Sequence, residues 1–238
     1  MGYREFAPPA ALRDLVECGW VVDGPPAPVR VLPDGCMDLM RMHGQITVAG
    51  PDTCASVSSR AGDPFVGLRF RPGVLPRLLG VPASELRNQR VPLADVRPSG
   101  GRHSLIELAL TFAAERPRAE TAPWSLDVLG QVTGRLAAGS DVNAVAKDIG
   151  WSNRTLQRQC LSVFGYGPAM LRRILRFRKA VRLLDSGLAH ADVATRAGYA
   201  DQPHLHREVR DLAGVPLRQL ANGANTSTQL PSGSATVA

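Results

Sequence analysis

The chain has almost no lysine, few cysteines and few aromatic residues, and it has no long apolar run. Lysine occurs only at Lys147 and Lys179 among 28 basic residues, so the positive charge is nearly all arginine. Arginine on that scale, beside abundant alanine, glycine and proline, is what G+C-rich coding supplies, so its placement says more than its number. Cys18, Cys36, Cys54 and Cys160 lie far apart with no Cys-x-x-Cys pair, which argues against a disulfide-stapled secreted fold and against a zinc site. No stretch approaches the roughly 18 apolar residues of a membrane helix. Met1–Pro9 lacks the apolar core of a signal peptide, so a cytoplasmic protein with no membrane partner is expected. No glycine-rich phosphate loop precedes a helix, and no histidine stands near a cysteine or serine in a motif. The chain is therefore read as a non-enzyme without cofactor or metal.

The 238 residues leave room for two domains, and the charge is divided unevenly between them. Residues 141–220 hold 13 basic against 7 acidic side chains, so most of the formal +7 lies there and the remainder is almost neutral. That asymmetry suits a polyanionic partner for the C-terminal part.

The same part contains a repeat. Val145-Ala146, Gly150-Trp151, Leu156, Arg158 and Gly165 recur as Val193-Ala194, Gly198-Tyr199, Leu205, Arg207 and Gly214. The spacing slips from 48 to 49 within the second copy, an insertion placed before Leu205. Val142, Val145, Ala146 and Ile149 follow the i, i+3, i+4, i+7 pattern of a helix that Gly150 ends. Trp151 plugs the turn, and Ser152 caps a second helix whose Leu156, Cys160, Val163 and Phe164 share one face. The second copy repeats this with Val193, Ala194, Ala197, Gly198, Tyr199 and the cap Asp201. Each copy reads as a helix-turn-helix.

Asn153, Arg154, Gln157 and Arg158 in the first copy, and Gln202, His204, His206 and Arg207 in the second, fall on the outward N-terminal turns. Arginine can fork onto guanine O6 and N7, and glutamine can pair with adenine N6 and N7. A solvated amphipathic face would explain such residues in one copy, but two copies repeat cap, glycine, aromatic and arginine together. Between them Met170, Ile174, Phe177, Val181 and Leu184 step by three and four. One helix is expected over 169–186, begun by Pro168 and ended by Gly187, with Arg172, Arg173, Arg176, Arg178, Lys179 and Arg182 decorating the rest of its surface. Such a helix is about 27 Å long. It would hold two reading helices about one DNA turn, near 34 Å, apart.

These stretches, Val145–Pro168, Leu175–Gly187 and Asp192–Pro216, resemble the AraC family of bacterial transcription regulators. The resemblance implies that the second helix of each unit reads double-stranded operator DNA, through the eight residues just named. The second unit departs from the pattern at Ala213, in a loop to Pro216 one residue short, and at Pro203. Proline is tolerated there because a first-turn amide has no intrahelical partner. RNA polymerase, for an activator, and a second copy of the chain are further partners this reading admits.

The N-terminal part has a different texture. Val29–Leu32, Cys36–Met42, Gln45–Ala49, Ala55–Ser59 and Phe65–Phe70 are short apolar runs separated by Gly, Pro and Asp, which reads as an antiparallel meander closed into a barrel or sandwich. Short helices follow at Leu75–Leu79 and Ser84–Asn88, and a longer one at Ser104–Ala114. The fold class is therefore α+β. Residues 1–117 are expected to form one domain, 118–124 a linker, 125–222 an all-α double helix-turn-helix domain and 223–238 a disordered tail. VECGW at Val16–Trp20, VLPDGCMDLM at Val31–Met40 and VGLRFRPG from Val66 resemble a domain that precedes AraC-type units in many regulators. That resemblance implies a sensory or oligomerisation domain and identifies no effector; for a small-molecule effector, Trp20, Asp34, Cys36, Asp38 and Arg69 are the candidate residues. Asp34, Cys36 and Asp38 also admit a nucleophile or cation site, or simply a turn followed by a strand. Met37, Leu39, Phe65 and Phe70, with Trp20, could line an apolar cavity.

Two other classes are weighed. An Ada-like alkylation-repair protein would need a clustered four-cysteine zinc site, which is missing. A helical half that binds a protein would lack the steep salt dependence of phosphate contacts.

Overall fold

The computed structural model describes residues 2–25, 28–59, 62–98, 103–221 and 228–230, without the side chains of residues 29, 59, 221 and 228–230. Among the described residues, eight strands precede the helical half: β1 (Tyr3–Phe6), β2 (Val16–Val22), β3 (Pro28–Val31), β4 (Met37–Met42), β5 (Gln45–Ala49), β6 (Ser56–Ser59), β7 (Phe65–Phe70) and β8 (Arg90–Pro92). The five expected strands are present. β1, β2 and β8 were not foreseen, and the order is not that of a meander. A six-stranded antiparallel sheet runs β1-β2-β7-β4-β5-β8, with β7 inserted between β2 and β4. β3 and β6 pair in a separate small sheet, joined by β9 (Thr228–Leu230) in parallel with β3. The rest of the tail, for which disorder was expected, lies outside the described residues.

Alternation gives the large sheet two different faces. Met37 and Leu39 of β4, Leu68 and Phe70 of β7 and Val48 of β5 point into one core. Met40, Phe65 and Ala49 point into another with Cys18, Trp20 and Val22 of β2. Val16 belongs to the first core although it precedes Cys18 by two residues. Pairing of Val16 with Phe70 and of Cys18 with Arg69 leaves Glu17 as a bulge, and the extra residue inverts the facing of the strand.

Helices α1 (Val74–Leu79), α2 (Leu93–Val96) and α3 (Leu105–Ala114) complete the N-terminal part. Ser104 caps α3 in a capping box with Glu107. The expected helix at Ser84–Asn88 is only a 3-10 turn over Ala83–Glu85, because Asn88 adopts a left-handed backbone with φ 60°. Then follow α4 (Leu126–Ala137), α5 (Val142–Asp148), α6 (Asn153–Phe164), α7 (Pro168–Asp185), α8 (His190–Ala197), α9 (Gln202–Ala213) and α10 (Leu217–Ala221).

The two parts share a core. Leu129, Val132, Leu156, Phe164, Leu171 and Ile174 of the helical part pack in one cluster with Leu39, Phe70, Leu75 and Phe112. Gly73, at φ 79°, lies so close to α6 and α4 that a Cβ there would stand 2.6 Å from Val163 and 2.8 Å from Leu129. The 118–124 segment is itself pinned. Thr121 is buried, Arg118 donates to the Gly80 carbonyl and Ser162 donates to the Glu120 carbonyl at 2.7 Å.

Candidate functional site

The two helix-turn-helix units are built by local chemistry. Ser152 accepts from the Thr155 amide at 3.1 Å and Asp201 accepts from the His204 amide at 2.6 Å, so each second helix begins on a side-chain cap. Gly150, Gly165, Gly198 and Gly214 all hold positive φ. The residue inserted in the second unit is Ala200, in the turn between Tyr199 and the cap Asp201, five residues before Leu205 rather than immediately before it. Pro203 sits in the first turn of α9, where no amide partner is lost.

On α6, Asn153, Arg154, Gln157 and Arg158 are exposed. Asn153 donates to Asn143 of α5, Gln157 lies against Gly167, and no ion pair engages Arg154 or Arg158 among the described residues. On α9, Gln202, His206 and Arg207 are exposed, and Gln202 Nε2 and His206 Nε2 are 3.4 Å apart. His206 also meets His190 edge to face. His204 differs from these. Its ring stands edge-on to Tyr199, its Nδ1 accepts from the Ala200 amide at 3.4 Å and its Nε2 lies 3.9 Å from Glu208. It supports the turn.

The α7 arginines require a correction. The helix runs as expected, but burial extends around most of it, through Leu171, Ile174, Leu175, Phe177, Ala180 and Val181. Of its six cations only Lys179 and Arg182 are exposed. Arg173 and Arg176 both pair with buried Glu208, Arg173 also pairs with Asp211 at 2.9 Å, and the Arg176 guanidinium lies 4.6 Å over the Tyr199 ring. Arg178 is 6% exposed. It pairs with the bulged Glu17 and reaches the Asp34 carbonyl and the Cys36 sulfur at 3.5 Å each. A periodicity reading places these residues off the apolar stripe, yet the stripe is flanked by a second protein surface.

The expected effector residues fall into two connected groups. Arg69, buried on β7, gathers three carboxylates: Glu5 at 3.3 Å, Asp34 at 3.3 Å and Asp38 at 3.5 Å. Asp34 accepts from the Cys36 amide at 2.8 Å and fixes the Pro33-Asp34-Gly35 turn. Burial pushes the Cys36 thiol well above its usual range, and Cys18 and Cys160 up to about 12 for the same reason. These thiols are held protonated, against the reactive reading. Among the described residues no group of three or more His, Cys, Asp or Glu is arranged to hold a metal ion.

Trp20 and Asp38 line a cavity of about 380 Å³ between the large sheet and the β3–β6 sheet. Met40, Met42 and Phe65 form its apolar wall, Val31 and residues 54–58 its opposite side, and Asp52, Asn88 and Arg90 its polar end. Arg90 forks onto Asp52 at 3.0 and 2.5 Å. Gly67 makes room for Trp20, since a Cβ there would stand 2.4 Å from the indole. Phe65 lines the cavity as expected. Met37, Leu39 and Phe70 do not, because they alternate onto the other face and into the shared core. Ser56 and Ser58 of β6 and Arg90 of β8 were missed because polar side chains carry no apolar signal, and Val57 because the pairing of β6 with β3 decides which cavity it faces.

Residues 145–223 match the family model of a helix-turn-helix domain, and residues 4–92 match that of a domain of unknown function, DUF6597. Among solved structures, ToxT from Vibrio cholerae O395 is similar at 9% identity, covering 83% of this chain and 96% of that one with a TM-score of 0.46. A second ToxT structure from Vibrio cholerae gives 9% identity, 93% and 98% coverage and a TM-score of 0.44. A third, of wild-type ToxT from Vibrio cholerae strain SCE256 with bound unsaturated fatty acid, gives 9% identity, 87% and 89% coverage and a TM-score of 0.34. No curated protein matches the chain. No helix among the described residues is long and apolar enough to cross a membrane. With two capped helix-turn-helix units joined by one long helix, and a helix-turn-helix match across them, residues 145–223 form an AraC-type helix-turn-helix DNA-binding domain, preceded by a DUF6597 domain over residues 4–92.

Proposed function

We propose that α6 and α9 enter successive major-groove segments of an operator, and that a small molecule in the sheet cavity adjusts how α9 engages. Arg154, Gln157 and Arg158 read one half-site, and Gln202, His206 and Arg207 the other. His204 holds the second turn rather than a base.

One observation carries the regulatory part. Ala55 lines the cavity, and its amide donates at 2.7 Å to the carbonyl of Leu212, in the last turn of α9. Beside it Arg30 of β3 donates at 3.0 Å to the Ala213 carbonyl, and Leu32 and Ala55 pack into the second unit's core. One wall of the cavity is thus fastened to the C-terminal end of α9. A ligand with different affinity for two positions of the β3–β6 wall would bias the position of α9 through these bonds, which is what coupling between sites requires.

Ala55→Pro removes the donated hydrogen bond, and Arg30→Met removes the second. Operator duplexes selected from random DNA, probed by footprinting, should show altered protection over the α9 half-site alone. Equal change over both half-sites, or none over either, would show that the wall does not communicate with α9.

A further inference from the structure

The cavity's charges are unbalanced. Among the described residues, four carboxylates, Glu5, Asp34, Asp38 and Asp52, stand around it and the network directly behind it, against two guanidinium groups, Arg69 and Arg90. Arg90 is committed to Asp52 through both nitrogens, and Arg69 is shared by the other three. Asp38 lines the cavity as well, and its Oδ1, 3.5 Å from the shared Arg69 Nε, makes no hydrogen bond among the described residues. The Nε1 of Trp20, a side chain only 2% exposed, also lines the cavity and also finds no hydrogen-bond partner among them. The remaining lining is largely apolar, with Met40, Met42 and Phe65 beside the indole.

We propose that the cavity takes an apolar cation, an amine or quaternary ammonium on an aryl or alkyl body that also carries a hydrogen-bond acceptor. The ammonium sets against Asp38 and supplies the missing positive charge, the acceptor meets Trp20 Nε1, and the body fills the space between Met40, Met42 and Phe65. Aromatic faces and thioethers tolerate a poorly hydrated cation, and a buried carboxylate offsets its desolvation. An anionic ligand would meet an excess of like charge. A buried carboxylate without enough cations responds by holding a proton, and burial, with Asp34 and Asp52 adding to it against Arg69 and Arg90, raises Asp38 to about 6. A bound ammonium therefore competes with that proton.

The ligand class rests on the cavity being an effector site, and the two can fail separately. Calorimetry on the full chain with 4-(4-methoxyphenyl)butylammonium and the corresponding alcohol and carboxylate compares three charges on one body that carries an ether acceptor. The expected order is ammonium, alcohol, carboxylate, with at least about a tenfold span between the ends. Ammonium affinity should fall by up to about tenfold per pH unit below Asp38's value, while that of the alcohol stays flat. Asp38→Asn should erase the preference for ammonium. Should that variant not fold, the pH profile of the unaltered chain gives the same test. Carboxylate binding as tight as ammonium, a flat ammonium profile, or no binding of any of the three would overturn the assignment. Ammonium bound in that order without effect on operator affinity would uphold the ligand class and contradict the regulatory reading.

Discussion

Arg178→Met separates a DNA-facing α7 from a structural one. The guanidinium leaves a site where its own side chain is 8% exposed and that of its partner Glu17 is 17% exposed. Removing one member of a buried pair costs about 3–5 kcal/mol, and the residual exposure of Glu17 places the loss near the lower end, about 3 kcal/mol. Contacts to the Asp34 carbonyl and Cys36 sulfur are lost with it. Urea denaturation of the full chain measures the change, and Glu17→Gln combined with Arg178→Met should recover part of it, since no uncompensated carboxylate remains. The slope of log affinity against log salt for duplex DNA should be unchanged, because a buried arginine neutralises no phosphate. An arginine on phosphate would contribute about 0.9 to that slope. Stability lowered by less than about 1 kcal/mol, together with a slope reduced by one contact, would refute the placement of Arg178 in the interface.

Because one apolar cluster runs from the sheet through α6 and into α7, urea should unfold the chain in a single transition followed equally by circular dichroism and tryptophan fluorescence; two separated transitions would contradict the shared core. Asp38, raised by burial to about 6, binds a proton in the folded state that the unfolded chain releases above about pH 4. Relative to Asp38→Asn, stability should therefore be highest below pH 4 and fall by about 2–3 kcal/mol as pH rises through 6, as denaturation across that range would reveal. Gly67→Val should displace the Trp20 indole and destabilise by about 1–3 kcal/mol, with a changed tryptophan emission spectrum. Ser152→Ala should lower stability by about 1 kcal/mol through loss of the Thr155 amide's acceptor, with no change in the base pairs selected.

The helical half was legible because its signals are local. A cap, a glycine with positive φ and a 3.6-residue apolar period act within one turn, and Ser152, Gly165, Pro168 and Asp201 occupy the roles their chemistry dictates. The five apolar strands were legible for the same reason. What could not be read is decided by partners distant in sequence. Val16–Val22 becomes a strand beside β7 although Glu17 and Gly19 interrupt its pattern, and its bulge is set by that pairing. Arg178 looks solvated on α7 until the N-terminal turn at Asp34 and the bulge at Glu17 close over it from more than 140 residues away. At the candidate site, Trp20, Asp38 and Phe65 could be named from the sequence. The cavity's far wall at residues 54–58 could not, since it is defined by which sheet β6 joins.

The most direct test of the central claim is base-by-base. Arg158→Ala and Arg207→Ala are each measured by fluorescence anisotropy against a selected operator in which every base pair is replaced in turn. The account predicts that each variant loses about 1–3 kcal/mol on the operator and loses discrimination at its own base pair, the two positions lying about one helical turn, roughly 10 base pairs, apart. Equal loss on operator and random DNA for both variants, with discrimination intact at every position, would contradict it.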